Sequence, residues 1–184
     1  MMLPSTITWV LFAGLPGTGK STLARALAAR LDAAILDKDQ VRSALFPGPL
    51  TDYTQEQDQV CIRAILEAAR YLTERRRAAY IFFDGRTFST RKQIEEVLGL
   101  AAISGADWRI LHVTCADVVA DQRLSRSDPA HPAKNRDPEL YRRIKDRFEP
   151  ILQPNLEIDT TAGIEDRLMA ALDYLEGRQT GGLR

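Results

Sequence analysis

Residues 14–21, with the sequence Gly-Leu-Pro-Gly-Thr-Gly-Lys-Ser, constrain the fold of this chain more than any other segment. They match the Walker A pattern G-x-x-x-x-G-K-[ST] and directly follow the apolar run 7–13. Glycines let backbone N–H groups turn inward around a phosphate, and the start of a helix adds the positive end of its dipole. The segment therefore predicts a phosphate-binding loop between a buried strand and a helix.

The rest of the chain alternates short apolar runs with helical patterns, which is typical of parallel βα units. Further strands are predicted at 33–36, 80–83, 108–113 and 156–159. Helices are predicted after the glycine-rich loop, from residue 39, over 55–77, after Thr90, over 138–148 with Asp137 as the N-cap, and near the end at 164–175. This pattern predicts an α/β fold, a three-layer sandwich with a five-stranded parallel sheet.

Length and composition indicate a single domain. The 184 residues are 45% hydrophobic, which suffices for one core. We expect this domain to cover residues 1–178, with a mobile, proline-punctuated lid insert at about 121–137 and a frayed tail at 179–184.

Charge and cysteine content exclude several classes of protein. The 25 basic and 25 acidic residues give a net charge of zero, which does not favour a nucleic acid or an anionic membrane as partner. Cys61 and Cys115 are too few and too far apart for a disulfide framework. The longest apolar run, 7–15, is too short to span a bilayer and lacks the flanks of a signal peptide. We therefore expect a cytoplasmic protein.

Two groups of residues are expected to bind a nucleoside triphosphate with its metal ion. Lys20 is expected to reach the β- and γ-phosphates, and the Ser21 hydroxyl to ligate Mg²⁺. Asp84 closes an apolar run as a Walker B aspartate does, although an aspartate before glycine is also a common turn. We assign nucleotide binding to Gly14, Pro16, Gly17, Thr18, Gly19, Lys20, Ser21, Thr22 and Arg123, and metal binding to Ser21 and Asp84.

A carboxylate and a guanidinium follow the second strand. Asp39 and Arg42 are three residues apart, so both lie on one face of a helix. A kinase needs a carboxylate to accept the proton of the acceptor hydroxyl and a cation to hold an anionic acceptor. Asp37 is the competing candidate for the base, and a simple N-cap is the alternative role for Asp39.

The insert carries three arginines, Arg123, Arg126 and Arg136. Their closure over the triphosphate would exclude water and stabilise negative charge at the γ-phosphate. The alternative interpretation is an exposed polar loop without a catalytic role.

Four segments together resemble the small P-loop kinases, a group that includes adenylylsulfate kinase, chloramphenicol phosphotransferase, the zeta toxins and the kinase domain of polynucleotide kinase. These segments are 14–21, 36–42, 83–85 and 123–126. The resemblance implies a nucleoside-kinase-like P-loop NTPase fold, ATP·Mg²⁺ as donor and a hydroxyl group as acceptor. By motif position it implies that Asp39 is the general base, that Arg42 binds the acceptor, and that Arg123 and Arg126 are lid residues.

Two departures separate the chain from the adenylylsulfate kinases. Those enzymes have Leu-Asp-Gly-Asp where this chain has Lys38 at the third position, and they have a Phe-Ile-Ser-Pro type strand end where this chain has Phe-Asp-Gly-Arg at 83–86. The chain therefore looks like a relative of the adenylylsulfate kinases and not like a member of that group. Residues 46–58, with Tyr53, Glu56 and Asp58, are expected to lie over the acceptor pocket and to set specificity.

The sequence thus predicts an ATP-dependent kinase that moves the γ-phosphate to a hydroxyl of a small, anionic or polar acceptor. Catalysis is assigned to Lys20, Asp39 and Arg126, and acceptor binding to Arg42, Asp37, Arg86 and Arg136. Two alternatives stay open: a polynucleotide 5′-hydroxyl kinase, against which the neutral charge argues, and a nucleotide-dependent regulatory ATPase without an acceptor. The sequence gives no prediction of oligomeric state.

Overall fold

The computed structural model describes residues 6–126 and 137–177. Its strands are β1 (Thr8–Ala13), β2 (Ala33–Asp37), β3 (Tyr80–Asp84), β4 (Asp107–Thr114) and β5 (Leu156–Asp159). Its α-helices are α1 (Lys20–Ala28), α2 (Lys38–Leu45), α3 (Gln55–Glu74), α4 (Arg91–Ile103), α5 (Asp117–Ser125), α6 (Pro138–Lys145) and α7 (Glu165–Leu175). None of the helices in these two ranges has the length and apolar character needed to cross a bilayer.

The five strands form one parallel sheet in the order β2-β3-β1-β4-β5. Because β1 is central, the connection after β1 runs to β2 on one side of the sheet, whereas the connection after β4 runs to β5 on the other side. In open parallel sheets, ligands bind in the crevice at such a point. The predicted α/β class and five-stranded parallel sheet are confirmed, and the crevice lies where the Walker A segment begins.

Both faces of the sheet are buried, which explains why β1 is apolar throughout. Trp9 and Leu11 point to the face that α3 and α4 cover. Val10 and Phe12 point to the opposite face, which α1 and α7 cover. One core thus lies on each face of the sheet, and the helices on both faces together with the sheet form the predicted three layers.

The long helix and the helix after the insert both end about three residues earlier than predicted. α3 ends at Glu74, and Arg76 adopts a positive φ of 47°, which terminates the helix. α6 ends at Lys145 instead of at residue 148. Helix ends fray, so patterns of polarity locate them poorly.

Two predicted helix starts are confirmed by their caps. The Thr90 hydroxyl accepts a hydrogen bond from the Gln93 N–H at 3.4 Å, so Thr90 caps α4. Asp137 Oδ1 accepts from the Leu140 N–H at 2.7 Å and caps α6. These caps were predictable because they depend on residues adjacent in sequence.

The first part of the predicted insert is a helix. Residues 121–125 belong to α5, so the segment assigned to the lid insert begins inside a helix. This helix lacks a clear apolar stripe because Val118 is 61% exposed, and only Ala120 and Leu124 are buried. Residues 127–136, which include Arg136, and the predicted tail lie outside the described residues. The lid therefore stays a prediction.

Candidate active site

The turn between β1 and α1 requires glycine at its first position. Gly14 has a φ of 142°, and a Cβ atom there would lie 2.1 Å from the backbone carbonyl oxygen of Val113 in β4. Any other residue would displace one of two neighbouring strands. The first glycine of the Walker A segment is thus fixed by the close approach of the loop to β4.

The loop is held in shape by its own side chains. Lys20 is buried, and its Nζ donates to the carbonyl oxygens of Gly14 at 2.8 Å and Leu15 at 2.7 Å. The Thr18 hydroxyl also donates to Leu15 O, at 2.9 Å. The ammonium group of Lys20 therefore lies across the mouth of the loop, where a phosphate would meet it.

Two carboxylates meet where β2 and β3 end. Asp37 and Asp84 are paired in the parallel register, and Asp84 is only 3% exposed. Within the described residues, the buried Oδ1 of Asp84 accepts no hydrogen bond. Burial, and after it the negative charge of Asp84, raises the pKa of Asp37. Such a position favours a cation, because a cation would stabilise both carboxylates.

Asp37 is the residue that caps α2. Its Oδ1 accepts hydrogen bonds from the N–H groups of Asp39 at 2.8 Å and Gln40 at 3.3 Å. The alternative role considered for Asp39, a simple N-cap, therefore belongs to Asp37. Asp39 lies in the first turn of α2 and lines the cavity described below.

Arg42 lies between two carboxylates from different helices. Its Nη2 bonds Asp58 Oδ1 of α3, and its Nη1 lies 3.4 Å from Asp39 Oδ1. Lys38 Nζ donates to the same Asp58 oxygen at 2.6 Å. Burial alone would raise the pKa of Asp58, but Lys38 and Arg42 together hold it below its ordinary value. We call Lys38, Asp39, Arg42 and Asp58 the ion-pair cluster.

Arg86 also lines the cavity and is buried. Its Nη1 donates to Glu96 Oε2 of α4 at 3.1 Å, and its guanidinium lies 5.7 Å from the ring centroid of Phe88. An arginine held by an aromatic face and a carboxylate keeps a fixed orientation. Its predicted role in acceptor binding stays a prediction.

The two predicted lid arginines within the described residues, Arg123 and Arg126, have separate positions. Arg123 donates to Gly17 O at 3.3 Å, to Thr160 Oγ1 at 2.9 Å and to Thr160 O at 2.8 Å, so it joins α5 to the phosphate-binding loop and to the residue after β5. Arg126 is exposed at the end of α5 and does not line the cavity. Its predicted catalytic role requires a movement toward the cavity. Arg136 is outside the described residues.

These elements enclose a cavity of about 360 Å³ at the carboxyl edge of the sheet. The predicted site residues that line it are Pro16, Gly17, Gly19, Lys20, Ser21, Thr22, Asp39, Arg42, Asp84 and Arg86. Gly14, Thr18 and Asp37 lie behind this lining, in the backbone turn and the helix cap. The cavity therefore joins a phosphate-binding end at the loop to a second end at the ion-pair cluster.

Some lining residues were missed by the sequence analysis. They are Arg25, Lys38, Gly85, Thr87, Leu140 and Ile144. Arg25 is four residues after Ser21 on α1, a spacing that could have indicated a shared face. Leu140 and Ile144 also have this spacing, but only the tertiary fold brings α6 to the cavity. Tyr53 and Asp58 line the cavity as expected, whereas Glu56 is exposed and does not.

Sequence comparison identifies the family. A family model described as AAA domain matches residues 10–151, a segment that includes the phosphate-binding loop, the ion-pair cluster and Asp84. The chain belongs to this family. Among curated proteins, no sequence matches this AAA domain protein significantly.

Solved structures confirm the fold of the small P-loop kinases. A candidate kinase from Chloroflexus aurantiacus J-10-fl has a TM-score of 0.76 and 20% identity, covering 96% of this chain and 100% of its own. The Mycobacterium tuberculosis APS kinase in complex with AMPPNP and APS has a TM-score of 0.69 and 17% identity, covering 94% and 99%. A sugar kinase from Janibacter sp. HTCC2649 has a TM-score of 0.61 and 18% identity, covering 93% and 95%.

Proposed function

We propose that the protein is an ATP-dependent phosphotransferase that moves the γ-phosphate of ATP·Mg²⁺ to a hydroxyl group of a small acceptor. The observation that carries this proposal is the two-ended cavity. Lys20, Ser21 and Asp84 line it at the phosphate-binding loop, and Asp39 lines it at the start of α2. A switch or regulatory ATPase needs the first end but does not need a second end lined by a carboxylate that could act as a base.

The donor atoms at the loop suit magnesium. Mg²⁺ prefers oxygen ligands, and the buried Oδ1 of Asp84 lacks a hydrogen-bond donor among the described residues. Ser21 and Asp84 would hold the ion, directly or through water. When bound, the ion would neutralise charge on the phosphate oxygens.

The transfer itself requires positioning and one proton acceptor. The acceptor oxygen bonds to the γ-phosphorus while the bond from that phosphorus to the β–γ bridging oxygen breaks, and ADP leaves. The hydroxyl proton passes to the Asp39 carboxylate. Lys20 stabilises the charge on the phosphate oxygens, and Arg42 orients Asp39 through their ion pair.

Asp39→Asn tests the proposed base. We expect transfer to fall by about 10²- to 10⁴-fold, because proton abstraction by a positioned group contributes that much. ATP affinity should not change, since Asp39 lies at the other end of the cavity. The measurement is ADP release together with mass spectrometry of the phosphorylated acceptor.

Two comparisons complete this experiment. Glu95→Gln, on the exposed surface of α4, removes one negative charge outside the cavity and should leave transfer unchanged. Transfer by Asp39→Asn at the native rate would refute the assignment of the base. Phosphorylated product from 5′-hydroxyl oligonucleotides, with no phosphorylated product from small acceptors, would instead support the polynucleotide kinase alternative.

A further inference from the structure

The ion-pair cluster exposes its carboxylates more than its cations. The side chain of Arg42 is 7% exposed and that of Lys38 is 13% exposed. The side chains of Asp39 and Asp58 are 16% and 26% exposed. A molecule at this end of the cavity therefore meets the carboxylate oxygens of Asp39 and Asp58, which accept hydrogen bonds and repel anions.

Both cations of the cluster already form ion pairs with Asp58. Arg42 bonds Asp58 and lies against Asp39, and its buried Nε has no hydrogen-bond partner among the described residues. Lys38 bonds the same oxygen of Asp58. The cluster has two positive and two negative groups, so its net charge is zero. An anionic acceptor that binds Arg42 Nη2 would displace the half-buried Asp58, which would then keep only Lys38 as its partner.

An aromatic ring completes this end of the cavity. Tyr53 lines it, and the Arg42 guanidinium lies 5.2 Å from the ring centroid. Tyr53 has a positive φ of 55°, which is uncommon for a residue other than glycine. Hydrogen bonds from Thr54 N at 2.9 Å and Thr54 Oγ1 at 2.8 Å to Asp52 Oδ1 hold the adjoining backbone. The ring therefore offers a fixed apolar surface beside the carboxylates.

We propose that the acceptor is a neutral polyhydroxylated molecule, a sugar or a polyol, and not an anion. This proposal rests on the proposed phosphotransfer and specifies its substrate class. Hydroxyl groups of the acceptor donate to Asp39 and Asp58, and such charge-assisted bonds are short and strong. The C–H surface of the acceptor packs against Tyr53. In this proposal Arg42 is a positioning residue that holds both carboxylates, in place of the direct acceptor binding that the sequence predicts.

The native protein tests the proposal with matched acceptor pairs. Each pair consists of a neutral compound and its anionic derivative: glucose with gluconate, ribose with ribose 5-phosphate, and glycerol with glycerol 3-phosphate. The measurement is kcat/KM from ADP release, with the phosphorylated product identified by mass spectrometry. We expect kcat/KM for the neutral member of the preferred pair to exceed that of the anion at least tenfold.

Asp58→Asn tests the structural cause. The substitution keeps the shape of the side chain but releases Lys38 and Arg42 from their shared carboxylate. We expect the ratio of kcat/KM for the neutral to the anionic acceptor to fall at least tenfold, mainly through KM. Glu67→Gln is the matched control, because it removes one carboxylate from the exposed face of the same helix, and it should leave the ratio unchanged.

The outcomes separate the two proposals. A preference for anionic over neutral acceptors would refute the proposed substrate class but would still support the proposed phosphotransfer. An unchanged ratio in folded Asp58→Asn would also overturn the substrate class, since the cluster would then not select the acceptor. ATP binding without product from any acceptor would overturn both proposals.

Discussion

Asp37 carries two conflicting roles at the end of β2. Its carboxylate caps α2, and it also lies beside the buried Asp84 on β3. Because burial and the charge of Asp84 raise the pKa of Asp37, the ionised form is less favourable in the folded chain than in the unfolded chain. Well below pH 3.8, the ordinary pKa of this group, the carboxyl is protonated in both states and adds no penalty. As the pH rises toward the folded-state pKa, the folded state loses stability.

Asp37→Asn should therefore be at least as stable as the native protein at pH 7, because asparagine caps as well as aspartate does and carries no charge. Its advantage should shrink as the pH is lowered toward 4. Asp37→Ala also removes the charge but loses the cap, so it should be less stable than Asp37→Asn by about 1 kcal/mol at both pH values. Urea unfolding at pH 7 and pH 4.5 measures both differences. A stability of Asp37→Asn below that of Asp37→Ala at pH 7 would contradict the capping role.

The residues that the sequence analysis placed well are those whose role depends on adjacent residues. The Walker A segment requires a turn that only its own glycines allow, and Lys20 bonds carbonyl groups within the same loop. The partnership of Arg42 with Asp58 was not predictable in the same way, because it joins α2 to α3. The sequence showed that Arg42 supplies a cation, but not that the carboxylate of Asp58, 16 residues away, forms an ion pair with it.

At the scale of elements, α5 connects the parts of the nucleotide end. Its Arg123 bonds Gly17 of the loop and Thr160 after β5, and the Thr160 hydroxyl donates to Thr18 O at 2.7 Å. The buried strands were predictable because both of their faces are apolar. Helix α5 was not predictable, because only two of its residues are buried and a recognisable helical period needs more than two buried positions.

Arg123→Ala should lower the free energy of unfolding by about 1.5 to 3 kcal/mol, the usual effect of losing hydrogen bonds from a charged group. It should also weaken nucleotide binding, because the loop at Gly17 loses its link to α5. Arg126→Ala is the matched control on the same helix. It is exposed, so its unfolding free energy should stay within about 0.5 kcal/mol of the native value. Equal stabilities of the two variants would show that the Arg123 contacts contribute nothing.

At the scale of the whole molecule, the net charge is zero, but charge is unevenly distributed between the two ends of the cavity. Lys20 and Arg25 line the phosphate-binding end of the cavity, whereas the ion-pair cluster at the other end is neutral. Among the described residues that line the cavity, attraction for polyphosphate is thus strongest at the end formed by the phosphate-binding loop. The overall composition could show only that no extended polyanion is favoured.

This distribution predicts how ligands change the thermal stability of the whole domain. ATP with Mg²⁺ at about 100 times its Kd should stabilise the folded state by about 2.7 kcal/mol, because only that state binds it. For a chain of this size the melting temperature should then rise by about 5 to 11 °C. Lys20→Ala should lose most of this rise, measured against its own ligand-free baseline.

Asp84→Asn should keep the rise with nucleotide alone but lose the further increment that Mg²⁺ adds, because the buried carboxylate is what favours the cation there. An unchanged Mg²⁺ increment in Asp84→Asn would show that the ion is held by other groups.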